Sequence, residues 1–168
     1  SPDYAGADAV IVNTCGFLES SRDEALGVLR ELAQRKQRGE LKRIVVAGCL
    51  VQRDGEKIKD WVPEVDALVG VNNRDDVVRA VWRMDRDAAM NRYMGVYHAS
   101  AAGTWHDTGR LRLTPAHYAY VRISEGCNQK CTFCTIPSIR GPMHCKTPDE
   151  LIAEGNELLA DGAKELIL

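Results

Sequence analysis

Three of the chain's six cysteines share one short stretch, Cys127-x-x-x-Cys131-x-x-Cys134. Three soft thiolates on one loop reach three corners of a cubane iron–sulfur cluster. The fourth iron then carries no thiolate. An iron left open in this way can bind a chelating amino-carboxylate and pass it an electron, which is chemistry rather than electron storage alone. Zinc is the competing reading. It takes four ligands, usually as two Cys-x-x-Cys pairs or with histidine. His117, His144 and Cys145 are the candidates for a fourth donor, but no second ligand pair stands at zinc-site spacing. Buried thiols without a ligand role are the third reading.

Cys15 and Cys49 form a second constellation. Each directly follows an apolar run, Ala9–Val12 and Ile44–Ala47, and each has a glycine neighbour, Gly16 and Gly48. In a parallel sheet such positions emerge on one edge, where ligands gather. Glycine lets the backbone come close to a bulky group. Two cysteines at strand ends also arise from packing alone. A disulfide framework suits a small secreted domain, and this chain has α/β patterning and no visible export signal.

The elements that must position these thiols read as strand, helix, strand, helix, strand, helix. Ala9–Val12 predicts a strand covered on both faces. A helix follows over about 21–38, with capping-box spacing from Ser21 to Glu24, an apolar stripe of Ala25, Leu29, Leu32 and Ala33, and Gly39 as its stop. Ile44–Ala47 is a second strand, Val51–Lys59 a helix, Ala67–Val71 a third strand and Arg74–Arg83 a third helix. That alternation predicts a doubly wound parallel sheet. Periodicity then fails, and residues 84–116 read as an interdomain linker lying over the surface. Tyr118–Ile123 opens a new unit as a strand, ahead of the cysteine-rich loop. The next helix has Thr147 as N-cap, Pro148 at its first position and Glu150 completing a capping box. Leu151, Ile152, Leu158 and Leu159 line it, Gly162 ends it, and Glu165–Leu168 is a further strand. One such β-loop-α-β unit is too small to bury a core of its own. Truncation of the second unit is therefore expected.

Composition is that of a soluble globular protein, 45% hydrophobic and 27% charged, with no apolar run of membrane-spanning length. The net charge of −2 exerts no general pull on nucleic acid or anionic lipid. Locally, six Lys/Arg and the single acid Glu125 lie between Arg110 and Lys146. Such a stretch reads as a solvated face or as a contact for an anionic cofactor.

The run Ile123-Ser124-Glu125-Gly126-Cys127-Asn128-Gln129-Lys130-Cys131-Thr132-Phe133-Cys134, continued by Thr135-Ile136-Pro137-Ser138-Ile139-Arg140-Gly141, resembles the signature loop of radical S-adenosylmethionine enzymes. More narrowly, it is similar to the methylthiotransferase family. Asn13-Thr14-Cys15-Gly16-Phe17 and Ala47-Gly48-Cys49 resemble two of the three cysteine motifs in that family's N-terminal domain. The resemblance implies a flavodoxin-like domain over 1–83, a linker over 84–116, and the first unit of a radical S-adenosylmethionine (β/α) barrel over 117–168. It implies a 4Fe-4S cluster on Cys127, Cys131 and Cys134 that binds and cleaves S-adenosylmethionine, with Phe133 near the adenine. Packing behind the loop is the other reading of Phe133. An auxiliary 4Fe-4S cluster would take Cys15 and Cys49. Its third cysteine lies upstream in the family and is absent here, as truncation at the N-terminus would explain.

The motif Thr14-Cys15-Gly16-Phe17-Leu18-Glu19-Ser20-Ser21 and the flanks Leu113–Tyr120 and Ile136–Gly141 are similar to the family's ribosomal-protein branch. That branch methylthiolates the β-carbon of an aspartate in small-subunit ribosomal protein S-twelve. The resemblance implies one S-adenosylmethionine used to methylate sulfur and a second cleaved to remove hydrogen from the substrate carbon. A tRNA-modifying enzyme of the same family is the alternative, and the lack of net positive charge fits a protein substrate better. His144-Cys145-Lys146 departs from the family's serine–arginine pair, and lysine lacks the bidentate fork. The chemistry belongs to the cofactors, so no side chain is nominated as acid or base. His98, His106 and His117 read as surface or packing residues. A flavodoxin or ferredoxin is the expected electron donor, the cytoplasm the expected location, and the isolated chain is expected to be inactive.

Overall fold

The computed structural model describes residues 6–82 and 107–168. Most of the expected linker therefore lies outside the described residues, and 107–116 carry neither helix nor strand. In the first part, β1 (Ala9–Thr14), β2 (Arg43–Gly48) and β3 (Ala67–Val69) form a parallel sheet in the order β1-β2-β3. Successive strand residues face opposite sides, and β2 uses both. Ile44 and Val46 join one core with Leu29, Leu32, Leu50 and Ile58, while Val45 joins another with Ala67 and Val69. The helices α1 (Glu19–Gln37), α2 (Cys49–Asp54) and α3 (Lys57–Trp61) supply the first core. α4 (Val77–Trp82) covers the second through Val77, Ala80 and Val81. The chain is thus α/β, with helices on both faces of a parallel sheet.

Several expectations shift. Among the described residues β1 is an edge strand. Val10 and Val12 pack inward, but Ile11 is 45% exposed because α4 lies over β2 and β3. The helix expected from Ser21 begins at Glu19, with Leu18 as N-cap and no side-chain cap. The box from Ser21 to Glu24 therefore does not form, and Glu19 places a negative charge beside the free N–H groups of the first turn instead. The helix expected over Val51–Lys59 is two, broken at Gly55, where φ is +55°. A 3₁₀ turn over Arg74–Asp76 precedes α4.

In the second part, β4 (Tyr118–Tyr120) pairs in parallel with β7 (Glu165–Ile167) across α6 (Pro148–Ala160). The capping box of α6 forms as read, Thr147 accepting from the Glu150 N–H and Glu150 from the Thr147 N–H. Ala119, Val121, Leu158 and Ala163 make a small core with Leu151. Ile152 and Leu159 are more than half exposed, so only part of the expected stripe is buried. The strand expected over 118–123 ends at Tyr120, residues 121–123 carry no strand, and β5 (Ser124–Glu125) pairs antiparallel with β6 (His144–Cys145). A short helix that periodicity did not show, α5 (Ile136–Arg140), follows the cysteines.

Candidate metal centre

The cysteine loop is built from its base. Ser124 pairs with Cys145 and Glu125 with His144, bringing the two ends of the loop together. Gly126 turns the chain at φ +79°, and a Cβ there would lie 2.3 Å from the Pro142 carbonyl oxygen. Only glycine fits. The Cys127 N–H donates to the Gly141 carbonyl at 3.1 Å, and the Met143 N–H to Asn128 Oδ1 at 2.9 Å. Within the loop, Cys134 N–H donates to the Cys131 carbonyl at 3.1 Å, and Gln129 N–H points at Cys127 Sγ at 3.4 Å.

None of the six cysteines is in a disulfide; Cys131 is exposed, and Cys127 and Cys134 are half-buried. Phe133 is 83% exposed, so it does not pack behind the loop. Among the described residues no three His, Cys, Asp or Glu side chains gather around one point as a single ion requires. A cubane asks something different of three cysteines, one thiolate on each of three irons. Three free thiols on one exposed loop, one already facing an N–H donor, fit that donor set in kind. His117 is exposed and stacks edge-on against Tyr118; His98 and His106 lie outside the described residues.

Cys15 and Cys49 come together through strand register. Thr14 is the partner of Gly48, and each cysteine is the next residue along. Thr14 Oγ1 donates to the Ala47 carbonyl at 2.7 Å, which ties the two strand ends. The glycines permit the approach: a Cβ on Gly16 would stand 2.7 Å from the Cys49 carbonyl oxygen, and one on Gly48 2.7 Å from the Thr14 oxygen. Arg53 Nη1 then donates to the Gly16 carbonyl at 2.7 Å. Cys49 opens α2 directly, and α2 packs against α5 of the cysteine loop. The helix that Cys49 opens therefore packs on the helix that follows the cysteine loop, which sequence spacing did not show. Two thiols fill only part of a cluster's ligand set.

The basic stretch is mostly spent inside the protein. Asp107, with 6% of its side chain exposed, accepts from Arg122 Nη2 at 2.7 Å and Lys146 Nζ at 2.8 Å, with Arg74 Nη1 at 3.3 Å. Glu125, 12% exposed, accepts from Arg122 at 2.7 Å and Arg140 at 3.1 Å. Glu154 takes Lys146 and Arg110, and Asp161 takes Arg112. Burial pushes the Asp107 carboxyl upward, but the hydrogen bonds and charges of Lys146 and Arg122 outweigh it and hold the group well below its usual range. Arg122 is likewise opposed by burial and raised by Asp107 and Glu125. Asp107, Glu154 and Asp161 all lie outside the 110–146 window, so charge counting along the chain missed the pairing.

A model described as uncharacterized protein family UPF0004 matches residues 1–70. A protein of Anaeromyxobacter sp. (strain Fw109-5) is 40% identical over 99% of this chain and 34% of its own length. Relatives from Trichlorobacter lovleyi and Clostridioides difficile (strain 630) are 39% and 36% identical, again over 99% of this chain and 36% of their own lengths. By sequence the chain belongs to the methylthiotransferase family that its cysteine motifs resemble. Each of these three relatives is named ribosomal protein uS12 methylthiotransferase RimO. The chain spans about a third of their length.

Proposed function

We propose that the protein is a radical S-adenosylmethionine methylthiotransferase acting on the β-carbon of an aspartate in ribosomal protein uS12. One observation carries the reading: three free thiols on a loop closed at its base, beside a helix that packs on the helix opened by Cys49. Cys127, Cys131 and Cys134 would hold a 4Fe-4S cluster, and Cys15 and Cys49 would supply two ligands of an auxiliary one. When bound, the loop cluster supplies the electron that cleaves S-adenosylmethionine. The chain's own part is positional. Gly126 and the Cys127–Gly141 hydrogen bond hold the loop ends together, and exposed Phe133 is free to lie against the adenine. The names of the relatives support uS12 as the substrate. In this reading residues 1–83 are a flavodoxin-like domain, 84–116 a linker and 117–168 the start of a (β/α) barrel. A flavodoxin or ferredoxin delivers the electron, in the cytoplasm.

Anaerobic reconstitution followed by iron and sulfide analysis tests the class, with iron and acid-labile sulfide in equal amounts expected. Stoichiometric zinc without sulfide would overturn it. Incubation of the complete enzyme with S-adenosylmethionine, a reductant and either uS12 or tRNA tests the substrate by mass spectrometry. A methylthio adduct on uS12 is expected; one on tRNA alone would replace that assignment.

A further inference from the structure

We infer that Asp107, acting through Arg122 and Glu125, is a positioning residue that sets the shape of the Cys127–Cys134 loop; this rests on the cluster reading of that loop. The relay is continuous. Asp107 holds Arg122 Nη2, Arg122 Nη1 holds Glu125, and Glu125 holds Arg140 Nη1. Glu125 immediately precedes the loop and Arg140 ends α5 behind it, so this carboxylate joins the loop's entry to its exit. The Gly126 N–H, 3.4 Å from Glu125 Oε1, lies on the same side chain. Glu125 and Asp107 are largely withdrawn from water, where a charge–charge hydrogen bond is strong and an orphaned partner costly.

The other arm of Asp107 reaches further. Lys146 follows β6 and continues to Glu154 in α6, so residues flanking both strands at the loop base, Arg122 and Lys146, are held by one carboxylate. Arg74, in the turn after β3, also contacts Asp107, at 3.3 Å. The sheet whose edge carries Cys15 and Cys49 is thereby tied to the same anchor. None of these charges is a cluster ligand; their effect on a cluster would be exerted through the spacing of three thiols. Partners behind metal ligands have this kind of influence in general, with affinity losses of about 10–100-fold when removed.

The test compares the intact chain with Asp107→Asn and Glu125→Gln after anaerobic reconstitution. Iron loss to a chelator and the electron paramagnetic resonance of the reduced cluster, with and without S-adenosylmethionine, are the readouts. Both variants are expected to lose iron about tenfold or more faster, with altered signals at matched iron content. Glu125→Asp is expected to recover part of the loss. Thr147→Ala, which weakens α6 without touching the relay, should leave signal and retention unchanged. Wild-type retention and spectra in both relay variants would overturn the proposal. Should Asp107→Asn fail to fold, Arg140→Gln at the relay's outer end gives the same two outcomes. Absence of iron and sulfide from the unmutated chain would instead remove the cluster reading itself.

Discussion

The two cysteine sites are assembled by opposite means. Cys15 and Cys49 lie far apart in sequence and meet because β1 and β2 pair in parallel with Thr14 beside Gly48. Backbone hydrogen bonds and a deep core behind α1 fix them. Cys127, Cys131 and Cys134 are neighbours in sequence, so proximity is guaranteed, but the loop has only a small core beneath it. Its ends are joined by a glycine turn and by half-buried ion pairs. Register places the first pair of thiols, whereas side-chain ion pairs flank the second set.

The largest effect expected from breaking this contrast is in the sheet core. Leu29 is fully buried in the core that it shares with Ile44 and Val46 of β2. Leu29→Ala should cost about 2–5 kcal/mol, read as a lower urea midpoint, and should separate Cys15 from Cys49. Loss of capture of that pair by a trivalent arsenical, which needs two close thiols, would report the separation; full capture at unchanged stability would contradict the register argument. Next comes Gly126→Ala. Its positive φ and the 2.3 Å approach to Pro142 make about 1–3 kcal/mol of strain a lower bound. The loop base should open, with iron retention lost while arsenical capture at Cys15 and Cys49 persists. Parallel loss at both sites would show that the sites are not independently built.

Thr147→Ala removes the hydroxyl that accepts from the Glu150 N–H and donates to the Glu150 carboxylate and should lower stability by about 1 kcal/mol, seen as a small fall in denaturant midpoint with the loop intact. The smallest effect is in acid. Because Asp107 titrates lower when folded than when unfolded, the folded state binds fewer protons, and the stabilisation is full above the ordinary aspartate range of about 4. It fades as pH falls through the folded value. The gap in stability between wild type and Asp107→Asn should therefore be constant near neutrality and narrow below about pH 4. A gap that widened on acidification would refute the assigned sign.

Much of this was legible in the chain itself. The α6 cap was readable because Thr147, Pro148 and Glu150 are local signals of helix geometry. The N-terminus of α1 was misplaced because Ser21 and Glu24 satisfy the capping pattern equally well inside a helix that starts earlier. The exposed Ile11 could not be foreseen, since an apolar run has the same composition at an edge as at the centre of a sheet. The charge network was invisible for a related reason: Lys146 and Asp107 are 39 residues apart, and no periodicity links them.

Cysteine type and spacing alone singled out the loop as a candidate ligand set, because ligand softness and reach over a few residues are local properties. Strand and helix alternation likewise determined a parallel α/β chain. Only the tertiary structure decided that α2 lies on α5, that Gly16 and Gly48 bring two strand ends into contact, and that the buried Asp107 carboxylate pairs with both Arg122 and Lys146. Those are contacts between distant segments, set by packing and desolvation across the fold rather than by any residue's immediate neighbours.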